Sequence, residues 1–125
     1  TIYQMYQGKS PINLGDPTPI RDFVFEPDLL AAYVLAVESN DKNLLGESIN
    51  IGTGKAISIR ELAQKIAKIT GYKGSIKWIS FPKRALEIPR LQVDNTKAKK
   101  LLKWKPTVTL DEGLKITASY YQNKN

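Results

Sequence analysis

Residues 15–23 read GDPTPIRDF, a glycine- and proline-rich loop that ends in an Arg-Asp-aromatic triplet. Pro27 follows, a residue that is tolerated in the first turn of a helix, and residues 29–37 then form an uninterrupted apolar run. This order predicts a loop followed by a helix that ends near Ser39. Because the helix is apolar on every face, we expect another domain or subunit to cover part of it.

Further signals predict more helices and short strands. Residues 58–61 (SIRE) fit a capping box, and Gly71 suits the position just past the end of the helix that follows. The remaining expected elements are a short extended piece at 12–14, strands at 46–51 and 75–81, a short helix after Asp94, and a capped final helix from 109 to about 121. The predicted fold class is a small α/β domain with short strands and about four helices.

Composition narrows the function classes. The 125 residues include no cysteine and no histidine, which excludes disulfides and removes the commonest acid–base and metal-ligating side chain, so we expect no metal site. The longest apolar run is shorter than the roughly 20 residues that span a membrane, and the N-terminus lacks a signal-peptide pattern. These features favour a cytoplasmic protein with no membrane partner. The missing initiator methionine favours a fragment.

Three arginines are candidate anion ligands. A guanidinium group presents its N–H donors in a planar fork and keeps its charge, so Arg21 suits a phosphate. The alternative for Arg21 is an ion pair with Asp22 or Glu26, since exposed ion pairs are common. Arg84 and Arg90 flank a proline-containing loop and either converge on a diphosphate or remain solvated charges. From the residues alone these alternatives stay open, and the ordinary ones are favoured.

The segment Gly52-Thr53-Gly54 is only superficially similar to a dinucleotide-binding loop. The dinucleotide fingerprint requires a third glycine that opens a helix, whereas here the predicted helix begins only at Ser58. We therefore reject a phosphate loop. The two glycines are better interpreted as part of a turn that requires a positive φ.

A basic segment surrounds Trp104 and, with the net charge of +7, is similar to a nucleic-acid-binding patch. Ala98, Leu101 and Leu102 take the apolar face of the predicted helix, which leaves the lysines on its solvated side. Trp104 is better explained as a packing residue, and we do not expect nucleic-acid binding. The lysines are Lys97, Lys99, Lys100, Lys103 and Lys105.

Together these segments resemble the C-terminal part of the NAD-dependent epimerase/dehydratase family, the extended short-chain dehydrogenase/reductases that act on nucleotide sugars. The resemblance covers nearly the whole chain in order, through residues 15–23, Ala32-Tyr33, 48–54, 58–62, 84–94, 96–98, 101–106 and 112–114. It implies that residues 1–125 are the C-terminal substrate-binding portion of a two-domain sugar-nucleotide enzyme. The Rossmann domain of such an enzyme is absent from this chain.

The resemblance also implies roles for individual residues. Arg21 resembles the arginine of the family's Arg-Asp-aromatic motif, which contacts the substrate diphosphate in several members. Arg84 resembles a second arginine with a similar role, and Arg90 is a further candidate. The backbone of three consecutive residues resembles the segment that lines the base: Ile12, Asn13 and Leu14. The implied partners are a sugar nucleotide and the missing Rossmann domain.

The family's catalytic motifs are not in this chain. It contains no Gly-x-x-Gly-x-x-Gly loop for NAD and no Tyr-x-x-x-Lys pair for proton transfer. We therefore expect no catalytic residue and no cofactor bound by this chain alone, with NAD or NADP used by the complete enzyme. The expected function is to bind the nucleotide diphosphate as the substrate-holding part of an NAD-dependent nucleotide-sugar 4-epimerase or 4,6-dehydratase. Alternatives are a reductase or decarboxylase of the same family, or a basic nucleic-acid-binding or interaction module.

Two departures from the family pattern carry structural consequences. Ala85-Leu86-Glu87 replaces the usual Pro-Gly-Asp after Arg84, so the loop there can differ in shape. Lys103 replaces the usual glycine before Trp104, and a retained left-handed conformation at Lys103 costs on the order of 1 kcal/mol. The exposed apolar surface of the first predicted helix also predicts self-association of this chain.

Overall fold

The computed structural model describes residues 1–80 and 88–123. The chain divides into two compact units. Unit 1 comprises Thr1–Arg21, Ile57–Arg90 and Asp111–Asn125, and unit 2 comprises Asp22–Ala56 and Leu91–Leu110. Each unit has a hydrophobic core of its own.

The described part of the chain combines helices with short strands, as the sequence predicts. The α-helices are α1 (Ile2–Tyr6), α2 (Glu26–Glu38), α3 (Ile59–Thr70), α4 (Thr96–Leu101) and α5 (Leu110–Gln122), with one 3-10 turn at Lys42–Leu44. The strands are β1 (Ile12–Leu14), β2 (Ile20–Asp22), β3 (Ala56–Ser58), β4 (Ile76–Trp78) and β5 (Arg90–Leu91). The short helix α1 and the strands β2, β3 and β5 were not predicted, and β2 lies within the predicted loop at 15–23. The α/β class with short strands is confirmed.

Unit 1 is built on a parallel pair of strands. Strands β1 and β4 pair in register, with Ile12 opposite Ile76 and Leu14 opposite Trp78. Side chains of the alternate residues point to one face, so Ile12 enters the core together with Met5 and Ile66. A second sheet has the strand order β3-β2-β5.

Helix α3 begins and ends where its local chemistry dictates. The Ser58 hydroxyl oxygen accepts the Glu61 N–H at 3.1 Å, and the Glu61 carboxylate accepts the Ser58 N–H at 2.8 Å, which confirms the predicted capping box. Gly71 follows the helix in the left-handed conformation with φ 66°. The capping box predicted at Thr109 stays a prediction.

Unit 2 encloses Ala32 of α2, Ala98 of α4, Leu102 and Trp104. The Trp104 indole is 3% exposed, and its Nε1–H donates to the Asp28 carbonyl oxygen at 2.8 Å. Because an indole with both its ring and its N–H satisfied inside a core is a packing element, the interpretation of Trp104 as a packing residue is confirmed.

Asp28 is a buried carboxylate in the first turn of α2. Its two oxygens accept the Thr107 hydroxyl at 2.6 Å, the Thr107 N–H at 3.1 Å and the Val108 N–H at 3.0 Å. Burial alone would raise the pKa of Asp28, but the hydrogen bonds from Thr107 and Val108 favour the charged form and leave the pKa below its ordinary value. The carboxylate thereby connects the start of α2 to the segment before α5.

A residue with strained backbone geometry follows the C-cap of helix α4. Lys103, which follows the C-cap Leu102, has φ 54° and is the one non-glycine with positive φ among the described residues. The Trp104 N–H reaches back to the Ala98 carbonyl oxygen at 3.3 Å, so the left-handed step turns the chain and carries the indole into the core. The conformation expected for a glycine is thus kept although lysine occupies the position.

Most apolar residues of helix α2 lie outside the hydrophobic core of unit 2. Its buried residues are Asp28 and Ala32 alone, whereas Val37 is 84% exposed and Tyr33 is 63% exposed. Leu30, Val34 and Leu35 are also exposed. The exposure matches the expectation that part of this helix needs a cover.

The strand predicted at 46–51 is wrong. The segment is irregular, and the strand in this region is β3, farther along the chain. Ile49 and Ile51 pack against the core, while the carbonyl oxygens of Ser48 and Gly52 accept hydrogen bonds from the side chains of Lys97 and Asn95. Side-chain donors thus bond carbonyl oxygens that a neighbouring strand would bond in a sheet. The alternation of apolar residues reflects the packing of Ile49 and Ile51 against the core. The strand predicted at 75–81 is shorter, at Ile76–Trp78.

Candidate functional site

Arg21 lies in β2 and is half-buried. One guanidinium nitrogen, Nη1, donates to the carbonyl oxygen of Ile20 at 2.8 Å. Within the described ranges Arg21 forms no ion pair with Asp22 or Glu26, the alternative that the sequence left open. A bond to its own strand holds one side of the fork and leaves the remaining donors for another acceptor.

Asp22 has a structural role that the sequence interpretation missed. Its carboxylate accepts the N–H groups of Thr53 at 3.0 Å and Gly54 at 2.8 Å, and also the Thr53 hydroxyl. The Val93 N–H adds a longer bond at 3.3 Å. The aspartate of the Arg-Asp motif therefore fixes the glycine segment, and it immediately follows the candidate anion ligand. Little in the sequence indicates this contact, since Asp22 belongs to the Arg-Asp motif and its partner Thr53 lies 31 positions later in the glycine segment.

The two glycines of the 52–54 segment serve different purposes. Gly54 has φ 76°, which confirms the predicted turn there, whereas Gly52 lacks a positive φ, so the prediction is wrong for that glycine. Gly52 is buried, and a Cβ there would lie 2.5 Å from the Cβ of Val93, so its absence allows close packing. The N–H groups of Thr53 and Gly54 already donate to Asp22. The segment therefore does not fit the pyrophosphate of NAD, which needs such donors free.

The predicted base-lining residues lie in β1. The Ile12 side chain is 2% exposed in the core, and its N–H donates to the Ser75 carbonyl oxygen at 2.9 Å. Asn13 is exposed, Leu14 is half-buried, and the Leu14 carbonyl oxygen accepts the Ile79 N–H at 2.7 Å. Only Asn13 and the edge at Leu14 therefore remain accessible to a ligand.

Of the other two candidate arginines, the structure describes only Arg90. Arg84 lies outside the described residues, and so does the departure at 85–87. Arg90 is in β5 and is exposed. The diphosphate roles of Arg84 and Arg90 remain predictions.

Asp94 acts at the start of α4. Its carboxylate accepts the Thr96 N–H at 2.9 Å, although the helix's own N-cap position is Asn95. Hydrogen bonds from Thr96 lower the pKa of Asp94. Asn95 itself is buried and donates to the Gly52 carbonyl oxygen at 2.8 Å.

The basic segment around α4 lacks the features of a base-stacking surface. Trp104 is buried, so its ring cannot stack on a nucleotide base. Lys97 donates to the Glu47 carboxylate at 2.6 Å, and this hydrogen bond is the main reason that the pKa of Glu47 is lowered. Ala98 is fully buried, so α4 turns its lysines outward, as predicted.

A family model described as GDP-mannose 4,6 dehydratase matches residues 1–117. The chain belongs to this family of NAD-dependent nucleotide-sugar epimerases and dehydratases. A curated relative, a putative UDP-glucose 4-epimerase of Methanocaldococcus jannaschii, is 38% identical over 99% of the chain. GDP-L-fucose synthase of Escherichia coli, also similar, is 34% identical over 86% of the chain.

Solved structures of the epimerase/dehydratase family share the fold. UDP-glucuronic acid 4-epimerase of Bacillus cereus, in complex with UDP-glucuronic acid and NAD, gives a TM-score of 0.84 at 34% identity over 99% of the chain. UDP-glucose 4-epimerase of Thermotoga maritima with UDP-glucose gives 0.83, also at 34% identity, over 98% of the chain. The chain spans 38% of each of these two structures and 38% of the Methanocaldococcus relative.

No helix in the described ranges is both long and apolar enough to cross a bilayer. Within the same ranges, no group of three or more acidic residues forms a cluster that could hold a metal ion.

Proposed function

We propose that this chain binds the nucleotide diphosphate of a sugar nucleotide, as the substrate-holding part of an NAD-dependent nucleotide-sugar 4-epimerase or 4,6-dehydratase. The observation that carries the proposal is the placement of Arg21 on β2, with one nitrogen bonded to Ile20 and the other donors without partners in the described part of the chain. Charge-assisted hydrogen bonds from a planar fork suit a diphosphate. Family membership, and relatives solved with UDP-sugars, support this substrate class.

In this proposal two sets of residues have separate tasks. Arg21 and Arg84 bind the diphosphate, and Arg90 is a further candidate. The backbone of β1 lines the base at Asn13 and Leu14, because the Ile12 side chain is buried and its N–H is already bonded. Fixing the sugar nucleotide at its base and its diphosphate lowers the entropic part of the barrier, because it limits the positions that the attached sugar can take.

NAD or NADP supplies the redox chemistry in the complete enzyme, where C4 of the sugar is transiently oxidised. Relatives in the family have been solved with NAD and with NADPH. The 52–54 segment does not fit the cofactor, since Asp22 occupies its N–H groups. We assign no catalytic residue to this chain, and we propose that a Rossmann domain completes the enzyme in the cytoplasm.

The second candidate within the family is a reductase or a decarboxylase of the same substrates. GDP-L-fucose synthase of Escherichia coli and a UDP-N-acetyl-alpha-D-glucosaminuronate decarboxylase of Bacillus cytotoxicus are 34% and 32% identical to the chain. A diphosphate site at Arg21 serves all of these reactions equally. The nucleic-acid module is disfavoured, because Trp104 is buried and Lys97 is paired.

Isothermal titration of the chain with UDP-, dTDP- and GDP-sugars tests the proposal. We expect one of these ligands to bind, and Arg21→Ala to weaken it roughly 10- to 150-fold, as expected for a lost hydrogen bond to a charged group. Arg21→Lys keeps the positive charge but loses the planar fork of donors, so its affinity for the ligand should lie between those of the parent chain and Arg21→Ala. Lys73→Ala removes one exposed positive charge as the matched control and should leave affinity unchanged.

Two results would overturn the proposal. One is the absence of binding by every sugar nucleotide. The other is binding of oligonucleotides instead, weakening steeply as salt rises.

A further inference from the structure

The carboxyl ends of β1 and β4 form one edge of unit 1. Leu14 and Trp78 are partners at this edge, and the Ile79 N–H closes it by donating to the Leu14 carbonyl oxygen at 2.7 Å. In α/β folds, ligands bind in the crevice outside the carboxyl ends of parallel strands. Any group at this edge that has unused recognition chemistry is therefore a candidate ligand contact.

Arg60 lies over the Trp78 ring at this edge. The guanidinium carbon is 5.1 Å from the ring centroid. Its backbone is held from two directions, because the Arg60 N–H donates to the Pro17 carbonyl oxygen at 3.0 Å and the neighbouring capping box fixes the start of α3. The base of the side chain is thus well positioned, and the Pro17 loop lies close to it.

The pair keeps its chemistry available. The Arg60 side chain is exposed, and in the described ranges its N–H donors make no hydrogen bond and no ion pair. Trp78 is half-buried and lies outside the core cluster of unit 1. A cation above an indole engages the ring electrostatically but does not use the N–H donors of the guanidinium group. The exposed part of the Trp78 side chain and the side-chain donors of Arg60 therefore remain for a ligand.

We propose that Arg60 and Trp78 contact the nucleobase of the bound nucleotide. This inference rests on the proposed function and extends it beyond the backbone of β1, whose end at Leu14 is paired with Trp78. The base packs against the indole, and the guanidinium group donates to a carbonyl oxygen on the base edge. Uracil, thymine, cytosine and guanine carry such an oxygen and form the class of base that fits, whereas adenine lacks one.

Fluorine NMR of the chain labelled with 5-fluorotryptophan tests the contact directly. The chain has two tryptophans, so two signals are expected, and Trp78→Phe assigns them. Trp104 is 3% exposed in unit 2 and serves as the internal reference. We expect UDP, dTDP or GDP to shift the Trp78 signal and leave the Trp104 signal in place. Inorganic pyrophosphate, which lacks a base, should shift neither.

Affinities separate a ligand contact from a merely structural pair. Trp78→Leu and Arg60→Ala should each weaken nucleoside diphosphate binding roughly 5- to 150-fold, the range for a lost base–aromatic stack. They should leave pyrophosphate binding unchanged, and ADP should bind more weakly than the preferred nucleotide. A purely structural role would instead change both affinities together through lost stability.

The outcomes distinguish this inference from the proposed function. If a nucleoside diphosphate binds while the Trp78 signal stays in place and both variants keep full affinity, the inference is overturned and the diphosphate site stands. If no nucleotide and no sugar nucleotide binds the chain, both are overturned.

Discussion

Replacing Lys103 with glycine should stabilise unit 2. Lys103 has φ 54° directly after α4, and the chain must take this step for Trp104 to enter the core. A Cβ in the left-handed conformation costs roughly 1–2 kcal/mol, because it approaches the following carbonyl oxygen. Lys103→Gly removes this strain and leaves the backbone path unchanged.

Two smaller effects reduce the expected gain. Glycine is more flexible in the unfolded chain, which costs roughly 0.5–1 kcal/mol. The Lys103 ammonium group also donates to the Lys100 carbonyl oxygen at 3.0 Å, an exposed bond that the variant loses. The net increase in the free energy of unfolding should therefore be about 0.5–1 kcal/mol.

Urea unfolding followed by tryptophan fluorescence measures this difference, because Trp104 adjoins the substituted residue. Lys103→Ala is the matched control: it keeps the Cβ strain and loses only the ammonium hydrogen bond, so its stability should equal or fall slightly below that of the parent chain. If the glycine variant is no more stable than the alanine variant, the left-handed residue is not a source of strain and the reasoning fails.

Three further changes test other contacts. Asp28→Asn should lower the free energy of unfolding by about 2 kcal/mol at pH 7, since the charged acceptor is lost. Because the pKa of Asp28 is lowered in the folded state, its contribution to stability is complete above about pH 4 and disappears as pH falls through the folded pKa. When the free energy of unfolding is measured at decreasing pH, it should therefore decline less in Asp28→Asn than in the parent chain. Gly52→Ala should cost about 1–3 kcal/mol through overlap with Val93, and a second change, Val93→Ala, should recover part of that loss in thermal unfolding. Val37→Lys should reduce self-association in sedimentation velocity, since Val37 is 84% exposed on α2; Gln64→Lys, which adds the same charge on α3, should not, and equal behaviour of the two would contradict an association surface on α2.

Elements whose signals lie within a few residues were predictable from the sequence. The capping box at Ser58 and Glu61 involves neighbours in one turn, and Gly71 needs no tertiary partner to end α3. The same is true of the helix at Glu26–Glu38, where the apolar run sets the length and Pro27 marks the first turn. Local chemistry decides these features, so a single sequence contains the information.

Features that depend on distant partners were not predictable. The 46–51 segment has the alternation of a strand, but Lys97 and Asn95 bond the carbonyl oxygens of Ser48 and Gly52 from elsewhere in the chain. Likewise, the sequence offers Asp22 or Glu26 as alternative ion-pair partners for Arg21, whereas the Asp22 carboxylate accepts the N–H groups of Thr53 and Gly54. Which of several acids meets a given donor is decided by tertiary structure.

The Asp22 carboxylate occupies the position that an incoming phosphate would take at a glycine turn. By accepting the N–H groups of Thr53 and Gly54, it acts as a resident anion, built into the chain and always present. Any free anion approaching this turn meets a filled site and a like charge. Two backbone donors that could otherwise bind a phosphate are therefore already occupied. An aspartate in an Arg-Asp motif can thus keep free anions away from a glycine turn by accepting its N–H groups itself.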